Sequence, residues 1–528
     1  MSSLHLRRGA SLLAAAALAV GGLAVVPGAV AAPVGVQDAA VKAAIAPADV
    51  TIPDDTSTTG TLHITKYEQG ETVGSAGNGL EQTVSGTPIS GVTFTATQLD
   101  FDLSTQAGWE ALAALDGSTA AAASHTTSTT YTGKTGSDGV ADISNLPVAA
   151  YLVSETSYPA NVTPSQDFIV TIPMTDPTNL NNWLYDVYVY PKNAVTDITK
   201  KVDNAADLTV GSTLTYTLDA DVPRLPTGST IPNYQVIDQL DPRLTASTSD
   251  VTVTMVGTGA VALTEGTDYT IESGTVGGVT YLTATFTQAG RTKILNARAA
   301  GDDTTKVEMV VNATLAAQGD GSGLVTNNAY LIPSGSASTW TAASPTAAQA
   351  AALAANGYPT DDTTSKYGRV TITKTGTDGK AAATYAGATF NVYSCSSDGT
   401  LSGDPLSVGG TTAFTTGSDG TVTIDGLKNN DWTDGAAVTA STYYCLVETK
   451  APSGYELQAD PIPFQVTQDN ATSDNDYTVG ETVTDVPKNG SFTLPLTGAA
   501  GVIVLVIAGG LLVAGSLLLW LRNKRRDA

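Results

Sequence analysis

Along most of the chain apolar and polar residues alternate. Leu214-Thr215-Tyr216-Thr217-Leu218 and Val307-Glu308-Met309-Val310-Val311 put every second side chain on one face, the period of a strand with one buried side. The same period places Ile198, Lys200 and Val202 inward and Lys201 outward, and gives Val325, Asn327, Ala329 and Leu331 a common face. Two stretches break the rhythm. Residues 105–116, with Trp109, Leu112 and Leu115, carry helical spacing, and Ala347 to Ala355 predicts one helical turn or two. Two apolar runs are longer than any strand. Leu12 to Val26 follows Arg7 and Arg8 and precedes Ala29-Val30-Ala31, which reads as an export signal with its cleavage site. Ala499 to Leu521 is uncharged and is followed by Arg522, Lys524, Arg525 and Arg526, the pattern of a transmembrane segment with a cytoplasmic tail.

The two ends of the alternating region repeat each other in order. Leu62-His63-Ile64-Thr65-Lys66 answers Val370-Thr371-Ile372-Thr373-Lys374, and Gly91-Val92-Thr93-Phe94 answers Gly387-Ala388-Thr389-Phe390. Thr135-Gly136-Ser137-Asp138-Gly139 answers Thr416-Gly417-Ser418-Asp419-Gly420, and Tyr151-Leu152-Val153-Ser154-Glu155-Thr156 answers Tyr444-Cys445-Leu446-Val447-Glu448-Thr449. Four blocks in one order mean two copies of one domain. Their sequence resembles the collagen-adhesin B-type sandwich, an immunoglobulin-like fold, with Glu155 and Glu448 in its E-box. The fold class expected is all-β, three tandem immunoglobulin-like sandwiches, the middle one of a related type. The divisions are a signal peptide over 1–32, a flexible segment over 33–58, sandwiches over 59–193, 194–332 and 366–490, an Ala/Ser/Thr-rich connection over 333–365, and a sorting signal over 491–528.

Composition narrows the function. The 528 residues carry a net charge of −25; removing both end segments takes away more Lys and Arg than acid, leaving about −30. So acidic a surface excludes nucleic acid as a partner and keeps an exported protein soluble. Cys395 and Cys445 are the only cysteines, and in an exported chain an even pair reads as one disulfide. The three histidines, His5, His63 and His125, are scattered. Neither a metal site nor a cofactor is expected, and without a glycine-rich phosphate loop or a histidine to serve a triad the chain does not read as an enzyme.

Two motifs carry the chemistry. Trp183-Leu184-Tyr185-Asp186-Val187-Tyr188-Val189-Tyr190-Pro191-Lys192-Asn193 matches the pilin motif W-x3-V-x-V-Y-P-K, through Trp183, Val187, Val189, Tyr190, Pro191 and Lys192. Leu494-Pro495-Leu496-Thr497-Gly498 matches the sortase signal. With this ordered pair the whole chain resembles a sortase-assembled Gram-positive fimbrial shaft pilin. The resemblance implies that a sortase cysteine cuts between Thr497 and Gly498 and holds Thr497 as an acyl-enzyme until Lys192 of another subunit attacks. It implies as partners a pilus-specific and a housekeeping sortase, identical subunits in a covalent polymer, a tip or minor pilin, and peptidoglycan, with the fibre at the cell surface supporting adhesion to an unnamed ligand. The alternative is a wall-anchored monomeric adhesin, which needs the sorting signal but no lysine motif.

The resemblance also implies intramolecular lysine amides. In an apolar core a buried lysine loses its charge and becomes nucleophilic, while a buried carboxyl keeps its proton and polarises the amide under attack. The middle region offers Lys200, Asn327 and Asp238. The last offers Lys374 and Glu448, with either Asp485 or Asn489 as the acceptor. The first offers Lys66, Glu155 and Asn193, and whether that bond exists stays open because shaft pilins vary there.

Overall fold

The computed structural model describes residues 58–488 except 71–76, 181, 227, 317–322, 334–339, 357 and 361. The export signal, the apolar run at 499–521, the sorting pentapeptide and Asn489 therefore lie outside the described residues. Among the described residues no helix is long and apolar enough to cross a membrane.

Three β-sandwiches follow one another. In the first, strand Thr59–Thr65 lies between Val140–Pro147, antiparallel, and Asp186–Val189, parallel. The facing sheet runs Thr126–Lys134, Thr93–Leu99, Ala149–Ser157, Phe168–Ile172. Alternation drives Leu62, Ile64, Phe94, Ala96, Tyr151 and Val153 into the space between the sheets. The helical spacing at 105–116 gives helix Gln106–Ala113, capped by the Thr105 side chain, with Trp109 and Leu112 buried.

The middle sandwich pairs Ile198–Asp203, Thr213–Asp221 and Lys306–Leu315, with Leu244–Thr245 and Val251–Val256 also on the last of these. Its second sheet orders Tyr269–Val276, Val279–Phe286, Gln235–Gln239 and Leu324–Ile332. It also contains a helix the alternation did not announce, Gln288–Ala300, capped by Thr287. The helix at 347 is longer than expected, Ala347–Asn356. Leu353, Trp340 and Ala342 pack there on Ile237, Tyr281, Tyr330 and Ile332.

The long strand Thr363–Gly376 joins the middle and last sandwiches. Its first residues, inside the stretch read as a connection, pair with Leu324–Asn327, and its later ones pair with Thr421–Lys428 and, in parallel, with Thr478–Asp485. Opposite lie Thr389–Cys395, Tyr443–Lys450 and Ile462–Phe464. Cys395 and Cys445 form the disulfide across the first two, Cα atoms 5.9 Å apart.

The repeated blocks reappear as repeated geometry. The Lys66 N–H donates to Gly139 O at 2.8 Å and the Lys374 N–H to Gly420 O at 2.9 Å. Those glycines sit at φ 75° and 72°, where a side chain is strained. Thr135 and Thr416 accept equivalent bonds from Val92 N and Ala388 N, at 2.9 and 3.0 Å. Each lysine thus leaves its first strand at one fixed place, over Phe94 or Phe390.

Candidate functional site

Each sandwich buries a lysine together with an acid and an Asn or Asp. In the first, Lys66 is fully buried and Asn193 nearly so. Lys66 Nζ donates to Asn193 Oδ1 and to Glu155 Oε1, both at 2.5 Å. Asn193 Nδ2 in turn donates to Glu155 Oε2 at 2.6 Å. Burial is the largest influence on the amine and outweighs the Glu155 charge, drawing the Lys66 pKa down to about 8. An appreciable fraction is then neutral near physiological pH. Ser165 Oγ donates to Glu155 Oε1 at 2.5 Å and lies 3.4 Å from Nζ. Sequence reasoning did not select Ser165, and as one hydroxyl in a Pro-Ser-Gln loop it carried no signal.

In the middle sandwich alternation selects correctly between neighbours: the Lys200 side chain is fully buried and Lys201 is exposed. Lys200 Nζ bonds Asp238 Oδ1 and donates to Asn328 O at 3.0 Å. The Asn327 orientation that satisfies both amide atoms sets Oδ1 2.9 Å from Lys200 Nζ and lets Nδ2 donate to Gln239 O at 2.5 Å. Burial pushes Lys200 down and Asp238 up, against their mutual attraction. Both shifts favour the neutral pair, amine and carboxylic acid, that amide formation requires.

The last sandwich brings together Lys374, Glu448 and Asp485, side chains fully buried. Lys374 Nζ bonds Asp485 Oδ1 and lies 3.2 Å from Glu448 Oε1. Burial raises the Glu448 pKa, and the nearby Asp485 charge adds to it. Asp485 Oδ2 has no partner among the described residues, a costly arrangement for a buried oxygen. Asp485, one of the two acceptors left open by the sequence, lies at the amine; Asn489 is outside the described residues.

Lys192 sits apart from these cores. Strand Lys192–Val195 pairs with Tyr67–Glu68 and Val162–Thr163. Successive side chains on a strand point oppositely, so Asn193 enters the core while Lys192 stays half-buried at the outer face, without an ion pair among the described residues. The rest of the motif holds that strand. Trp183 stacks on Trp109 of the inserted helix at 5.4 Å, Val187 is fully buried, and Tyr190 Oη accepts from Gln82 N at 2.5 Å.

Comparison with known proteins bears on this arrangement. Residues 48–194 match the model of the Gram-positive pilin subunit D1, N-terminal domain; 368–481 match the prealbumin-like fold domain; 486–528 match the LPXTG cell wall anchor motif. The fimbrial subunit type 1 of Actinomyces viscosus is 42% identical over 551 residues, covering 100% of this chain and 99% of that one. The chain belongs to the Gram-positive pilins. The structure of the fimbrial protein FimP from Actinomyces oris aligns at TM-score 0.57 and 38% identity, over 83% of this pilin and all of FimP. The Corynebacterium diphtheriae major pilin SpaA aligns at TM-score 0.57 and 26% identity, over 81% of this pilin and all of SpaA, a structure that points to a modular pilus assembly stabilising isopeptide bonds. This pilin is thus a structural subunit of a surface fimbria anchored to the cell wall, and not an enzyme.

Proposed function

We propose that this pilin is the polymerising shaft subunit, with Lys192 as the amine that a pilus-specific sortase joins to Thr497 of the next copy. A housekeeping sortase then attaches the base to peptidoglycan, and a tip pilin completes the fibre. The observation that carries the reading is the opposed placement of Lys192 and Asn193: one strand gives its asparagine to an internal cluster and keeps its lysine available outside. In cells bearing the sortases, Lys192→Ala should leave a folded, exported monomer and no high-mass ladder in wall extracts. A persisting ladder would refute Lys192 as the linking residue.

The same proposal assigns three internal amides. Lys66 and Lys200 attack Cγ of Asn193 and Asn327; the new N–C bond forms, the Cγ–Nδ2 bond breaks, and ammonia leaves with protons relayed by Glu155 and Asp238. Lys374 condenses with Asp485 beside Glu448, and water leaves. What supports this is contact between amine and acceptor in all three cores, with burial lowering the pKa of Lys66 and Lys200 and raising that of Asp238 and Glu448. Intact mass of the exported chain should fall short by two ammonia and one water, besides the disulfide hydrogens. A full unreacted mass would remove the assignment.

A further inference from the structure

On one edge of strand Leu324–Ile332 the pairing stops short of Asn327, while the other edge stays paired with Thr363–Gly376. Its later residues, from Asn328 on, pair with Gln235–Gln239, and that ladder ends at Gln239 opposite Asn328. Beyond that point the neighbouring chain turns away through Asp241-Pro242-Arg243, and proline has no N–H to continue pairing. The backbone groups of Leu324 and Thr326 on this side would be left over. Two side chains take them. Asp241 Oδ2 accepts from Thr326 N at 3.1 Å, and the Arg243 guanidinium bonds Leu324 O. The pair is locked to itself: Arg243 Nε donates to Asp241 Oδ1 at 2.8 Å and Nη2 to Oδ2 at 2.7 Å, while Arg243 N donates to Oδ1 at 3.0 Å. Asp241 is 8% exposed, and the Arg243 hydrogen bonds hold its carboxyl below the usual range despite burial.

We infer that Asp241 and Arg243 are positioning residues for the middle cross-link: they extend the ladder in side-chain form and so fix the register that brings Asn327 against Lys200. The inference rests on the proposed Lys200–Asn327 amide. The alternative is a turn-stabilising ion pair with no bearing on the chemistry. Register is what the reaction needs, because a one-residue slip would turn Asn327 out of the core, and misplacement of about an ångström slows oriented reactions by up to about a hundredfold. Neither residue touches the reacting atoms, so neither is a catalytic residue.

The test follows bond formation in time. Full-length chain is pulse-labelled in cells, captured at intervals and digested, and mass spectrometry scores the Lys200–Asn327 cross-linked peptide, one ammonia lighter than its parts. Asp241→Ala and Arg243→Gln should slow formation by roughly tenfold or more. Asp241→Asn, which keeps an oxygen for Thr326 N–H, should recover part of the rate. The same substitutions in a Lys200→Ala background report how far each destabilises the unlinked fold. Wild-type rates in both Asp241→Ala and Arg243→Gln, with lowered stability in the Lys200→Ala background, would reduce the pair to a structural ion pair and overturn the inference. So would slowing with no recovery in Asp241→Asn. Absence of the lighter peptide in wild type would instead remove the cross-link reading itself, a result the variants cannot mimic.

Discussion

At the scale of single residues, the buried amines have a signature in pH. Lys66 is held at about 8 in the fold against an ordinary 10.5. The unfolded chain therefore binds that proton more readily, and stability rises with pH across the interval from about 8 to 10.5. Below it the cost of burying the ammonium is fully felt. Once the amide forms no titrating amine remains and the dependence vanishes. Asn193→Ala, which leaves Lys66 unbonded beside Glu155, should accordingly melt at a temperature that climbs from pH 8 to pH 10.5, whereas the first sandwich of the wild type should show no such climb. Equal slopes in the two proteins would mean that Lys66 is unbonded in both.

At the scale of elements, legibility followed periodicity. Strands with one face in a core were visible because alternation is a direct consequence of two-sided backbone geometry, and it separated Lys200 from Lys201. Helix Gln106–Ala113 was visible because Trp109 and Leu112 recur on one face. Helix Gln288–Ala300 was not, since its large buried apolar residues are only Ile294 and Leu295, adjacent in sequence, and its other buried positions are Gly290, Ala297 and Arg298, which carry no apolar period. Its cue was chemical: Thr287 before and Gly301 after a run almost free of β-branched residues. Strand Thr363–Gly376 was hard to bound because its first residues serve the middle sandwich and its later ones the last, so a composition shift at 366 marks no break in the hydrogen-bond ladder. The placement of Asp485 beside Lys374 depends on contacts across the sheet, where Gly376 lies opposite Asp485 in parallel register with the lysine strand, and local pattern does not encode that pairing.

At the scale of the whole molecule, the positions of the linkages decide which parts carry load. If tension enters at Lys192 and leaves beyond Asp485 toward Thr497, it passes from Lys192 to Lys200, crosses the amide to Asn327, continues to Lys374, and crosses again to Asp485. The sandwich before Lys192 carries no load, since the Lys192–Asn193 peptide bond is the short, taut route and the long one, back through residues 66–191 and across the Lys66–Asn193 amide, stays slack. The two amides on the path shield residues 201–326 and 375–484 from extension. Single-molecule pulling on the chain, held through a sortase-made bond at Lys192 and through Thr497, separates these cases. Lys374→Ala should release residues 375–395 and 445–484 when the last sandwich yields, the Cys395–Cys445 disulfide keeping the loop between them out of the path, and so add roughly 200–220 Å at full extension, while wild type lacks that step. Lys66→Ala should give traces that overlay on wild type, although the same substitution removes an internal bond. A new extension step in Lys66→Ala would place the first sandwich under load and move the point of entry away from Lys192.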